Sequence, residues 1–246
     1  LIGVLGIFVG VLIGGVGIGG VLLVPTLTYV FGVGVHEAIG AAMFSYLFSG
    51  MVGAVIYSRR RSINWTMAFW LFAGATPAAF AGAVLSSAIP ARGLEFFIAL
   101  LVLFAGVNAL VTQGDDVREE RILGGPALIG IGAATGIGSA LSGTGGPLIL
   151  VPLLIWLKVP VLTAVGLSQA VQLPIATLAT AANFLYGSVN IVVGVVLALT
   201  LMAGAAVGAR IAHAVSRTTL RLVVAWVLIA VGIFIIARIL RAMLGA

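Results

Sequence analysis

Two glycine-rich breaks carry the residues most suited to chemistry: Gly14-Gly15-Val16-Gly17-Ile18-Gly19-Gly20, and Ser142-Gly143-Thr144-Gly145-Gly146-Pro147. Each interrupts an apolar stretch, and each is followed by a Val-Pro step, at Val24-Pro25 and Val151-Pro152. A helix beginning at such a break turns free N–H groups and the positive end of its dipole toward the protein interior. That is an anion site needing no charged side chain. Gly17, Gly19 and Gly20 supply backbone candidates in the first break, and Gly143, Thr144, Gly145 and Gly146 in the second. Ser142 and Thr144 add hydroxyl donors. No Lys or Arg lies deep in an apolar run, so an anion would rest on neutral donors and could be released again. The competing use of these glycines is close packing of helices.

A second set of polar residues follows each break. Ser45 and Ser49 lie one helical turn apart with Tyr46 beside them, and Ser168, Gln169 and Gln172 form a comparable group in the second half. Gln169 and Gln172 share a helix face at i, i+3. Polar groups at membrane depth are costly unless paired, so these residues should face inward. For the two glutamines, lining a site and bonding helices together are both open. The serines readily bond their own helix backbone.

Other chemistries fit these residues less well. Gly15-x-Gly17-x-x-Gly20 matches a dinucleotide fingerprint, but that motif needs a soluble strand–turn–helix unit. Both flanks here are long apolar runs. An intramembrane serine protease would pair Ser139 or Ser142 with a His in the membrane, whereas His213 lies in a basic loop. There are no cysteines, so thiolate metal sites and thiol nucleophiles are ruled out. The sequence implies no catalytic set, no cofactor and no metal. His36 and Glu37, at a segment boundary, are the ionisable groups nearest the membrane interior, and solvation at the interface accounts for them.

These residues must be positioned by membrane segments. Of 246 residues, 62% are hydrophobic and 7% charged, which is membrane composition. The net charge of +6 comes from basic residues at the ends of apolar runs, a topology signal rather than a nucleic-acid surface. Apolar segments run over about 1–31, 38–57, 64–86, 93–112, 125–157, 161–184, 190–212 and 220–240. The first lacks a convincing signal-peptidase site and reads as structure.

The hydrophilic stretch from Gln113 to Arg121 separates a first repeat, 1–112, from a second, 125–246, with 113–124 as linker inside one integrated membrane domain. Ala38-Ile39-Gly40 matches Ala164-Val165-Gly166, and Ser62-Ile63-Asn64 matches Ser188-Val189-Asn190. Gly82-Ala83 matches Gly208-Ala209, Leu94 matches Leu220 and Gly106 matches Gly232. All share an offset of 126, and Pro25/Pro152 differs by one residue. A duplicated four-segment unit follows.

As one helix, residues 1–31 would reach about 46 Å, against a hydrocarbon core of about 30 Å. Cut at the glycines, the arms are about 12 residues, too short to span. Charge counting separates two topologies. If the broken segments cross the membrane, Lys and Arg divide seven to five between the faces. If they are hairpins returning to the face they entered, the division is nine to three, with only Arg92, Arg238 and Arg241 opposite. The second satisfies the positive-inside rule. The expected fold is an all-α polytopic membrane protein of two inverted repeats of four helical segments, each opening with a glycine-broken re-entrant hairpin.

Two G-x-G-G stretches, Gly17–Gly20 and Gly143–Gly146, each leading into an apolar run with Pro and each opening one half, resemble the sulfite exporter TauE/SafE family. The resemblance covers essentially the whole chain. It implies a multi-pass permease of the prokaryotic cytoplasmic membrane for sulfite, an organosulfonate such as sulfoacetate, or a related organic anion. Its expected partners are then that small anion and the lipid bilayer, and not nucleic acid. The second copy departs from a plain glycine run at Ser142, Thr144 and Pro147. Gly74/Ala78/Gly82 and Gly204/Gly208 form small-residue faces that suit a homo-oligomer interface or internal packing equally. A membrane assembly subunit is the remaining reading outside transport.

Overall fold

A computed structural model describes residues 1–16, 19–111, 123–211, 226, 229–230 and 232–237. Nine α-helices follow one another within them: α1 Ile2–Val16, α2 Leu23–Tyr29, α3 Val35–Arg59, α4 Trp65–Ala88, α5 Ala91–Val111, α6 Gly125–Ser142, α7 Pro147–Trp156, α8 Val161–Tyr186 and α9 Ile191–Ile211. A 3-10 turn, Gly19–Leu22, leads into α2. No strand occurs among the described residues. Gly17, the Gln113–Arg121 linker, His213 and most of the final apolar segment lie outside the described residues.

The long helices follow from uninterrupted apolar runs with matching start signals. Asn64 caps α4 by accepting from the Met67 N–H at 3.1 Å, and Asn190 accepts from Val193 N–H at 3.2 Å at the start of α9. These asparagines occupy equivalent positions at the offset of 126. By length and composition, α3, α4, α6, α8 and α9 can each cross a membrane. Large apolar side chains such as Phe69, Phe104, Val192 and Leu199 are exposed, while Ser45, Ser139, Gln169 and Gln172 are buried. A surface of that kind is solvated by lipid, and the bundle interior must satisfy the polar groups.

The breaks differ from the expected short arms. Gly14 and Gly15 are helical, because α1 continues through Val16. The arms are unequal: α1 has 15 residues and α6 has 18, against 7 in α2 and 10 in α7. At about 1.5 Å per residue α6 reaches about 27 Å, so its length alone does not prevent a crossing. The reversal is what ends it. Gly143, Gly145 and Gly146 have φ of +68°, +78° and +116°, conformations open to glycine and strained for other residues. The chain then folds back, and Ile149 of α7 lies against Gly138 of α6. In the first half Gly19 lies back against Val9 and Leu12 of α1.

Contacts between the halves come in exchanged pairs. Gly82 abuts the backbone of Ile137, and Gly208 abuts that of Val11. Gly136 abuts the Ala75 carbonyl, and Gly10 the Leu201 carbonyl; Gly40 abuts the Ser188 carbonyl, and Gly166 that of Ser62. Adding 126 to one partner and subtracting it from the other converts each contact into its mate. A two-fold relation between halves produces such pairs. As a result α1 packs along α9 and α6 along α4, so each half's first arm lies in the other half. Both buried apolar clusters likewise draw residues from both halves.

The register gives directions. Leu71 meets Gly132, Ala75 meets Gly136 and Gly82 meets Ile137, so α4 and α6 run parallel. Between α3 and α8, Gly53 meets Gln169, Gly50 meets Gln172, and Gly40 meets Ser188 just beyond α8. These two equivalent helices therefore run antiparallel.

Candidate functional site

The two glycine tips meet. A Cβ placed on Gly20 would lie 2.9 Å from the Thr144 carbonyl oxygen. Tyr46 sits between them: its hydroxyl donates to the Gly20 carbonyl at 2.8 Å, and Gly145 packs on its ring. The structure thus brings together Gly19, Gly20, Tyr46, Ser142, Gly143, Thr144, Gly145 and Gly146, all buried.

The first tip is supplied with donors by its own protein. The last carbonyls of a helix have no partner within it. Here Gln169 Nε2 donates to the Ile13 carbonyl at 3.2 Å and Tyr57 Oη to the Gly14 carbonyl at 3.2 Å, closing the end of α1. Gln172 Nε2 donates to the Tyr46 carbonyl and to Ser49 Oγ, both at 3.1 Å. Both amide nitrogens therefore tie α8 to neighbouring segments. Ser45 Oγ donates to the Ala42 carbonyl and Ser168 Oγ to the Val165 carbonyl, each within its own helix. Tyr57 was not among the residues singled out from sequence, because its position near the end of α3 resembles an interfacial tyrosine.

The second tip is different. Gly143 and Thr144 N–H both donate to the Ser139 carbonyl, at 2.9 and 3.2 Å, and cap α6. Ser142 Oγ donates to the Gly138 carbonyl at 2.7 Å, so in its 2.9 Å contact with Thr144 Oγ1 the threonine is the donor. Those four groups, all expected donors to a ligand, are engaged within the hairpin. The N–H groups of Gly145 and Gly146 have no hydrogen-bond partner among the described residues. Nor does Ser139 Oγ, which is fully buried. A Cβ on Gly146 would lie 4.0 Å from that oxygen, so the serine hydroxyl adjoins the opening the glycine leaves. Gly146 is also the N-cap of α7, whose N-terminal dipole end favours negative charge.

Buried N–H groups without partners are rare, and an unmade bond of this kind costs about 1–3 kcal/mol. Three donors lack partners around the second tip, the N–H groups of Gly145 and Gly146 and the Ser139 hydroxyl beside Gly146, and such groups can donate to an acceptor-rich ligand. Ser139 was legible in the sequence only as a nucleophile in the protease reading. Among the described residues it has no histidine partner, since His36 uses Nε2 toward the Ile89 carbonyl at 3.1 Å.

Comparison with known proteins bears on what this arrangement serves. The family model described as "Sulfite exporter TauE/SafE" matches residues 2–235. A relative from Bacillus subtilis named "Probable membrane transporter protein" is 28% identical over 221 residues, covering 86% of this chain and 89% of its own length. Another of that description, from Methanocaldococcus jannaschii, is 26% identical over 258 residues, covering 95% of this chain and 93% of its own. No solved structure matches significantly.

Proposed function

The chain belongs to the sulfite exporter TauE/SafE family and is a multi-pass membrane transporter rather than an enzyme, and from that premise we propose that it carries a small oxyanion, sulfite or an organosulfonate such as sulfoacetate. The anion rests at the tip of the second hairpin, facing Tyr46 and the first tip. Gly145 and Gly146 N–H and the Ser139 hydroxyl are its donors. Ser142 and Thr144 hold the tip's shape, and Gln169, Gln172 and Ser45 support the surrounding helices.

The observation that carries this reading is the set of three buried donors without partners around the second tip, two ahead of α7 and one in the last turn of α6. A sulfonate or sulfite group offers three oxygens, enough to accept from all three. Neutral donors hold such an anion without a fixed positive charge, so it can leave again. The absence of Lys and Arg from the tips fits a carrier better than a storage site.

In the same reading α3 and α8 are antiparallel crossings of the cytoplasmic membrane. That inverts the repeats 1–112 and 125–246 and brings the hairpins in from opposite faces of one transmembrane unit. The reading is tested by direct binding of sulfite, sulfate, sulfoacetate, taurine and simple carboxylates to the purified protein. Saturable binding of sulfite or sulfoacetate is expected, and no binding by any of the panel would contradict it.

A further inference from the structure

The two hairpins are closed by different means at equivalent positions. Ile13 and Ser139 lie 126 residues apart, each near the end of its half's first arm. The Ser139 carbonyl accepts from the N–H groups of Gly143 and Thr144, at 2.9 and 3.2 Å, inside its own hairpin. The Ile13 carbonyl instead accepts from Gln169 Nε2 of α8 at 3.2 Å. Tyr57 Oη of α3 donates to the next carbonyl, that of Gly14, at 3.2 Å, and Tyr46 Oη of α3 donates to that of Gly20 at 2.8 Å. Three buried side chains from the central antiparallel pair thus seat the first tip by its backbone.

The equivalents of these side chains do not repeat the seat. At the offset of 126 Gln169, Tyr57 and Tyr46 correspond to Met43, Asn183 and Gln172. Met43 has no donor. Asn183 Nδ2 donates to the Ala179 carbonyl of its own helix at 2.8 Å, and Gln172 Nε2 donates to α3. Gly53 is fitted to the seat, because a Cβ there would collide with Gln169 Oε1, and the equivalent position carries Ala179. The fold therefore does not demand these three donors in both halves.

A helix end closed by its own backbone keeps those bonds wherever the hairpin goes. One closed by neighbouring helices gives them up when the arm moves, and water entering a cavity can replace them. Hydrogen bonds between membrane helices are individually weak, so a seat of three is reversible.

We propose that Tyr46, Tyr57 and Gln169 are positioning residues that seat the first hairpin, and that the first tip, not the second, is released from α3 and α8 during transport. Release carries Gly20 away from the Thr144 carbonyl, which a Cβ on Gly20 would approach to 2.9 Å. The second tip is thereby uncovered; that an anion lies there rests on the reading given above.

Because the chain has no cysteine, Leu22→Cys and Leu148→Cys place single thiols at equivalent buried positions of the two hairpins. Their reaction with N-ethylmaleimide is followed on the purified full chain in lipid nanodiscs without any anion, so the outcome is independent of the anion site. Tyr57→Phe, which removes only the hydroxyl, should speed labelling of Leu22→Cys by about 3–15-fold, the worth of one such bond, and leave labelling of Leu148→Cys unchanged. Gln169→Met, which removes the donor and keeps the length, should act in the same direction and serves if Tyr57→Phe does not fold. An acceleration at Leu148→Cys as large as that at Leu22→Cys would mark a general loosening and overturn the proposal. So would an unchanged rate at Leu22→Cys in both variants.

Discussion

Gln172 donates through Nε2 to the backbone carbonyl of Tyr46 at 3.1 Å, and these two residues occupy equivalent positions in the two halves, 126 residues apart. Equivalent residues touch only close to an axis that relates them, so in the proposed inverted arrangement this bond lies at its centre. The same bond joins α8 to α3, the antiparallel pair at the middle of the bundle. Tyr46 in turn binds the first tip through its hydroxyl and carries Gly145 of the second on its ring. One side chain thereby couples the positions of both hairpins.

Gln172→Leu should therefore act on stability before ligand affinity. Interhelical hydrogen bonds in membrane proteins are worth about 0.6 kcal/mol each and reach about 1.7. Loss of the bonds to Tyr46 and Ser49 is expected to lower stability by about 1–2 kcal/mol. Denaturation in mild detergent would read this. A large fall in anion affinity with unchanged stability would return Gln172 to the ligand site.

The second tip makes a sharper demand at Gly146. With φ at +116°, alanine there is strained, a cost of order 1–3 kcal/mol. The added methyl would also lie 3.3 Å from Ile175 Cδ1 and narrow the space beside Ser139. Gly146→Ala should remove anion uptake into proteoliposomes. Gly130→Ala, in α6 with nothing within 4 Å, should leave uptake unchanged and raise stability by up to about 1 kcal/mol.

Topology is open to labelling because the chain has no cysteine of its own. Position 60 follows the end of α3, and Ser188 lies against Gly40 near its beginning. Arg60→Cys and Ser188→Cys should therefore be accessible to an impermeant thiol reagent from opposite faces of oriented vesicles. Labelling of both from one face would refute inverted crossings.

The all-helical membrane architecture was legible in the long apolar runs, and a constant spacing of 126 stood out beside it. Gly40/Gly166, Ser62/Ser188 and Gly82/Gly208 showed the offset, and the structure turns the same residues into exchanged contacts. The exchange itself was not legible, since a spacing reports equivalence and not which half a helix packs against. The breaks were legible as glycine clusters, but not their limits: Gly14 and Gly15 stay helical, and only positive φ at Gly143, Gly145 and Gly146 forces the second reversal. Ser142 and Thr144 stood out by position, yet their protons are engaged within the hairpin. Ser139 was legible only as a nucleophile in the protease reading, since nothing in a sequence tells that a helix serine leaves its own backbone unbonded.

The central claim is that Ser139 and the N–H groups of Gly145 and Gly146 hold the transported anion. Its most direct test is equilibrium binding and proteoliposome uptake of sulfite and sulfoacetate by wild type and Ser139→Ala. A hydrogen bond to a charged group is worth about 1.5–3 kcal/mol, so affinity should fall by about 10–100-fold. The anion-free protein should be as stable as wild type or more so, because the substitution removes a buried hydroxyl without a partner. Unchanged affinity and uptake in Ser139→Ala would contradict the account.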